Sequence, residues 1–156
     1  MLKWLWLSLV VFMIDLATKS VVSNSFSLYE SMSIVPGLFN LTLLHNYGAA
    51  FSFLADQPGW QRWFFTITSI IISVVLLVWL KRLKEQEKML AIALALVLGG
   101  ALGNLWDRIT LGYVVDFLDV YYKTWHWPAF NIADSAISIG AVLLIIDSFF
   151  SGNKEK

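Results

Sequence analysis

Two stretches, Trp63 to Leu80 and Met89 to Trp106, contain no Asp, Glu, Lys or Arg and are separated only by a short charged connector. A helix needs about 20 mostly apolar residues to cross the hydrocarbon of a bilayer, and each stretch meets that need with small extensions. Two weaker candidates flank them. Residues 4–22 are apolar up to Ile14 and then carry Asp15 and Lys19, and residues 129–150 carry Asp134 near the start and Asp147 near the end. The expected fold is therefore an all-α polytopic membrane protein, with spans at about 4–22, 63–80, 89–106 and 129–150 inside one domain. Composition agrees. The chain is 58% hydrophobic and 14% charged, where soluble domains have about 45–50% and about 25%. In 156 residues that excess cannot be buried in a water-soluble core. A cleavable signal peptide is the alternative reading of the first segment. Against it, Asp15 and Lys19 stand where small residues should lead to a cleavage site.

Lys81, Arg82, Lys84 and Lys88 lie in or beside the second connector, Lys3 at the N-terminus, and Lys154 and Lys156 at the C-terminus. An even number of spans gathers these regions on one side, which the positive-inside rule makes cytoplasmic. Tryptophans at positions 4, 6, 60, 63, 79, 106, 125 and 127 fall near the span ends, as aromatic belts do. The longer connectors, about 23–61 and 107–128, then face outward. Pro36-Gly37 reads as a turn, Leu38 to Leu44 as a short strand, and Tyr47 to Leu54 as an apolar, aromatic stretch. Together they predict a small β-rich extracytoplasmic platform.

Zero formal net charge excludes a strongly basic nucleic-acid binder. The absence of cysteine excludes disulfides, thiol nucleophiles and thiolate metal sites. His45 and His126 are far apart, with no HExxH context for a zinc protease.

Charged groups within a membrane are costly and tend to have a partner or a function. Asp116 lies in an apolar run and Asp134 about one turn into the fourth span, both toward the outer side. Two close carboxylates in an apolar site share a proton, so that one can act as a base on water while the other donates to a carbonyl oxygen. Spacing leaves other readings open: Asp134 can cap its helix or pair with Arg108. Asp107 is expected to pair with the adjacent Arg108, and Asp119 to be a solvated interfacial residue. Asn46, Asn104 and Asn131 suit either an extended peptide or interhelical hydrogen bonding. The run Gly99-Gly100-Ala101-Leu102-Gly103 reads first as close helix packing, with room for an acyl chain as the alternative. Asp15 and Lys19, four residues apart on one helical face, are expected to form a structural pair, with Lys19 snorkelling outward.

Five segments, in order, resemble the lipoprotein signal peptidase (signal peptidase II) family: Ile14-Asp15-Leu16-Ala17-Thr18-Lys19, Asn46-Tyr47-Gly48-Ala49-Ala50-Phe51, Gly99 through Arg108, Val114-Val115-Asp116-Phe117, and Phe130-Asn131-Ile132-Ala133-Asp134-Ser135. They spread over almost the whole chain. His45 departs from the Arg that often precedes the Asn of the second motif. The resemblance implies a bacterial inner-membrane aspartyl endopeptidase that removes signal peptides from diacylglyceryl-modified prolipoproteins, cutting just before the lipidated cysteine. It implies Asp116 and Asp134 as the catalytic pair, supported by Asp15, Asn46, Gly48, Asn104, Arg108 and Asn131. It further implies no metal or organic cofactor, a prolipoprotein and membrane lipid as partners, a monomer, cytoplasmic termini and an active site near the outer leaflet. Two readings from other classes compete: a proton-conducting or transport bundle with Asp15, Asp134 and Arg108 along a polar path, and a non-catalytic factor that holds lipoproteins.

Overall fold

A computed structural model describes residues 1–48 and 59–151. After a 3-10 turn at Leu2–Trp4, helix α1 runs over Leu5–Ser25, α2 over Trp60–Arg82, α3 over Lys88–Thr110 and α4 over Ile132–Ser151. All four are long and apolar enough to cross a membrane. The chain is a multi-pass membrane protein.

The bundle reverses the radial order of a soluble protein. Ile67, Ile71, Val74 and Val75 of α2 and Ile139, Val142 and Ile145 of α4 are exposed, whereas Ser8, Asp15, Lys19, Asn104, Asp107 and Arg108 are buried. Lipid tails solvate aliphatic side chains as well as a protein core does, so the polar groups turn inward to find partners. Helix α3 is central and packs against α1, α2 and α4. Its glycines allow this. A Cβ on Gly99 would lie 2.7 Å from the Ser8 carbonyl oxygen of α1, and one on Gly100 would collide with the Ala133 carbonyl of α4. The small-residue run thus serves close packing.

Four strands form an antiparallel sheet at one end of the bundle, in the order β1 (Ser31–Val35), β2 (Phe39–Asn46), β3 (Val114–Tyr122) and β4 (Trp125–His126). The β-rich part therefore exceeds the single strand expected at Leu38 to Leu44. Strand β3 escapes periodicity because Val114 through Phe117 are buried on both faces, which erases the alternation of a half-exposed strand. Val22, Leu43, Val115 and Phe117 form an apolar cluster with Phe26 and Ile132, seating the sheet on the ends of α1 and α4. Of the aromatic stretch expected from Tyr47 to Leu54, only Tyr47 and Gly48 are described. The fourth helix begins at Ile132, later than the expected 129. Phe130 is still extended there, its N–H donating to the Leu118 carbonyl at 3.1 Å and its carbonyl accepting from the Leu118 N–H at 2.8 Å.

At the opposite end Lys3 meets Glu85 of the α2–α3 connector at 2.8 Å. The core there is apolar, built on Leu76, Leu80, Ala91, Leu94 and Leu98, with Trp4 packed against it. Among the described residues no buried Asp, Glu, Lys or Arg belongs to it.

Candidate active site

The site is built upward from a buried lysine. Lys19 Nζ lies 2.7 Å from Asp15 Oδ2 and 2.9 Å from Asp107 Oδ2, and donates to Asn104 Oδ1 at 3.1 Å. Three acceptors match its three hydrogens. The pairing with Asp15 is as expected, but Lys19 does not snorkel outward; it is 3% exposed and points into the bundle. The expected Asp107–Arg108 pair does not form either. Neighbouring residues on a helix diverge by about 100°, which sends Asp107 to Lys19 and to the Val115 N–H at 3.0 Å. Asp15 uses its other oxygen to accept the Ala133 N–H at 2.9 Å. One buried ion cluster thereby ties α1, α3, β3 and the first turn of α4 together.

Lys19 also orients the amide above it. Asn104 Oδ1 accepts from Lys19 and from Asn131 Nδ2 at 3.2 Å, so Asn104 Nδ2 faces the other way and donates to Asp134 Oδ1 at 2.7 Å. Asn131 and Asp134 form a reciprocal cap on α4. The Asp134 N–H donates to Asn131 Oδ1 at 2.8 Å, and the Asn131 N–H donates to Asp134 Oδ2 at 3.3 Å. The helix-capping reading of Asp134 is therefore true, while its Oδ1 is held by α3.

Asp116 comes from β3. Its Oδ1 accepts from Asn131 Nδ2 at 2.8 Å and its Oδ2 from Asn46 Nδ2 at 3.0 Å. Asn46 stands opposite Val114 in the sheet, one diagonal step from Asp116. Its own Oδ1 accepts the Gly48 N–H at 2.9 Å. Arg108 donates to the Gly48 carbonyl at 2.9 Å and the Asn104 carbonyl at 3.3 Å. It makes no ion pair with Asp134 among the described residues; its guanidinium lies 5.4 Å from the centroid of the Phe65 ring instead. Arg62 of α2 closes the open end of α3, donating to the carbonyls of Arg108 and Ile109, each at 2.8 Å.

All eight residues named from the sequence thus meet in one network. Asp116 and Asp134 line one cavity of about 660 Å³ with Asn46, Asn104 and Arg108. Its other walls, including Ile72, Val97, Ile137 and Ile139, are apolar and come from α2, α3 and α4. Burial pushes the Asp116 carboxyl up to about 7, and the nearby Asp134 carboxylate pushes the same way. The amide donors of Asn46 and Asn131 hold it back. Sequence reasoning left Lys19 and Asp107 out of the site. The signal that bears on Lys19 is its i,i+4 spacing from Asp15 in an otherwise apolar helix.

Helices that bury charge away from lipid, and an acid–amide cluster opening on an apolar cavity, define a polytopic membrane enzyme. A model of the signal peptidase II family matches residues 7–150. The lipoprotein signal peptidase of Alteromonas mediterranea is 56% identical over 99% of this chain and 84% of its own length. Those of Pseudomonas putida and Pseudomonas aeruginosa PAO1 are each 56% identical, over 99% of this chain and 91% of theirs, and over 96% and 89%. A bacterial membrane enzyme solved by the in meso method at 2.3 Å superposes with a TM-score of 0.88 at 31% identity, covering 99% of this chain and 92% of that one. A second, solved at 1.9 Å, gives 0.81 at 31% identity over 92% and 90%. The chain belongs to the signal peptidase II family, and it is a membrane peptidase.

Proposed function

We propose that this peptidase is an aspartic endopeptidase of the bacterial inner membrane. It removes signal peptides from diacylglyceryl-modified prolipoproteins and cuts just before the lipidated cysteine. Asp116 and Asp134 are its catalytic pair. The observation that carries the reading is that both carboxylates line one apolar-walled cavity while amide donors hold both. The relatives named above are lipoprotein signal peptidases, which supports a prolipoprotein as substrate.

The chemistry needs one proton on the pair. With its carboxyl raised to about 7, Asp116 holds that proton and Asp134 carries the charge. Asp134 takes a proton from water as the oxygen attacks the scissile carbonyl carbon. Asp116 gives its proton to the carbonyl oxygen, forming a tetrahedral diol. As the C–N bond breaks, Asp134 returns its proton to the departing amine and Asp116 recovers one from the diol. Asn46 orients the substrate, and Arg108 steadies the loop at Gly48 or meets the lipid head. Asp15, Asn104 and Asn131 keep the two carboxyls in register.

A signal peptide is an apolar helix, and an apolar cavity between α2, α3 and α4 suits it together with the acyl chains. Lys3, Lys81, Arg82, Lys84 and Lys88 lie at the end of the bundle away from the sheet, which supports cytoplasmic termini, a site near the outer leaflet and a sheet outside. The enzyme works as a single-domain monomer without a cofactor. The test is a gel-shift cleavage assay on lipidated and unlipidated precursor. Asp116→Asn and Asp134→Asn should each insert into membranes and fail to cleave. Full turnover by either purified variant refutes the assignment.

A further inference from the structure

The cavity beside the carboxylate pair has a neighbour of different chemistry. A second cavity, of about 650 Å³, shares Asn46, Asp116 and the wall Trp127-Pro128-Ala129 with the first. From there it spreads over the sheet, where Ser31 of β1, Asn40 and Thr42 of β2, Asp119 of β3 and His126 of β4 line it. The mechanism above uses none of these five.

Asp119 is the built feature. Expected to be solvated, it is instead 7% exposed. One oxygen accepts from Asn40 Nδ2 at 3.2 Å and Thr42 Oγ1 at 3.4 Å, and the other meets His126 Nδ1 at 2.8 Å. The His126 ring stacks on Tyr121, centroids 5.0 Å apart and planes 11° from parallel. With Nδ1 turned to Asp119, the free edge of the ring presents Nε2. A carboxylate sunk in a sheet at this cost in desolvation is held in place by three dedicated partners. Among the described residues the lining contains two carboxylates, two histidines and no lysine or arginine.

Asp116, beside which the peptide bond is cut in the function proposed above, lines both cavities. The apolar one takes the half of the substrate that lies in the membrane. The chain that continues past the cut leaves the membrane, and the polar cavity is next along its way. We propose that this second cavity is a subsite for the residues that follow the lipidated cysteine, and that Asp119, fixed by His126, makes it accept neutral and basic residues there and disfavour acidic ones. This inference rests on the peptidase reading.

The test uses the purified full chain and three lipidated precursors that differ only at the two positions after the modified cysteine: Ser-Ser, Lys-Lys and Asp-Asp. Like charges several ångströms apart at a partly solvated surface repel enough to lower kcat/KM for Asp-Asp about tenfold, chiefly through KM. That factor corresponds to about 1.4 kcal/mol. Ser31→Lys, on the exposed edge strand, brings a cation to the rim and should abolish the acid penalty. Asp119→Asn should reduce it to about twofold by removing the repelling charge. If Asp119→Asn does not fold, Ser31→Lys decides. Equal turnover of all three precursors by the wild type overturns the subsite and leaves the peptidase standing. An undiminished penalty in Ser31→Lys overturns it too. Failure of the wild type to cleave any of the three overturns the peptidase reading instead.

Discussion

Replacing Asp116 by Asn is expected to silence cleavage and, above neutral pH, to make the protein more stable. In the folded chain the Asp116 carboxyl titrates at about 7, and in the unfolded chain near the ordinary 3.8. Between those values the folded state keeps a proton that the unfolded state has released. Raising the pH through this window therefore favours unfolding. A displacement of about three pH units corresponds to roughly 4 kcal/mol, all of it lost once the pH passes the folded value. Asn carries no charge and escapes this loss. It has its own cost, because an amide NH₂ cannot accept the bonds that Asn46 and Asn131 donate to the two carboxyl oxygens at 3.0 and 2.8 Å. One of those bonds is lost, at about 1–2 kcal/mol. The variant should therefore be roughly 2–3 kcal/mol more stable than the wild type at about pH 8 and about equal to it at about pH 5, where the roughly 1.6 kcal/mol already lost by the wild type offsets the missing bond. Melting temperatures followed by tryptophan fluorescence in detergent, from about pH 5 to 8.5, should start close together and separate as the pH rises. The expected separation at the alkaline end is about 5–10 °C, at roughly 2–4 °C per kcal/mol. His45, whose pKa is lowered by burial, destabilises both proteins equally on the acid side and cancels in the difference. Parallel melting curves for the two proteins across this range would refute the reasoning.

Two further substitutions probe the scaffold beneath the site. Lys19→Met leaves Asp15 and Asp107 buried with no countercharge and should cost about 3–5 kcal/mol; the triple change Asp15→Asn, Lys19→Met, Asp107→Asn should recover at least half of that in thermal unfolding, and wild-type stability of the single variant would contradict the ion cluster. Gly100→Ala drives a methyl group against the Ala133 carbonyl, one residue before Asp134. It should cost about 1–3 kcal/mol and lower turnover at least about tenfold, since about 1.4 kcal/mol of lost positioning is a factor of ten in rate. Unchanged kcat would show that Asp134 does not depend on the α3–α4 contact.

The sequence alone carries the number of spans and the small-residue face of α3. Each is a property of composition or spacing within about 20 residues, the scale on which a membrane span is recognised. It also singled out the eight residues that meet in the candidate site, on motif order rather than geometry. How the charges are shared out depends on contacts between distant segments. Lys19 turns inward because Asn104 and Asp107, more than 80 positions away, supply acceptors there. Asp107 joins Lys19, and Arg108 turns to Gly48, because α3 sends adjacent side chains to different neighbours. Asp119 is buried because Asn40, Thr42 and His126 converge on it from two other strands. A charge inside an apolar bundle settles where the fold brings it partners, and those partners come from segments that no local pattern connects.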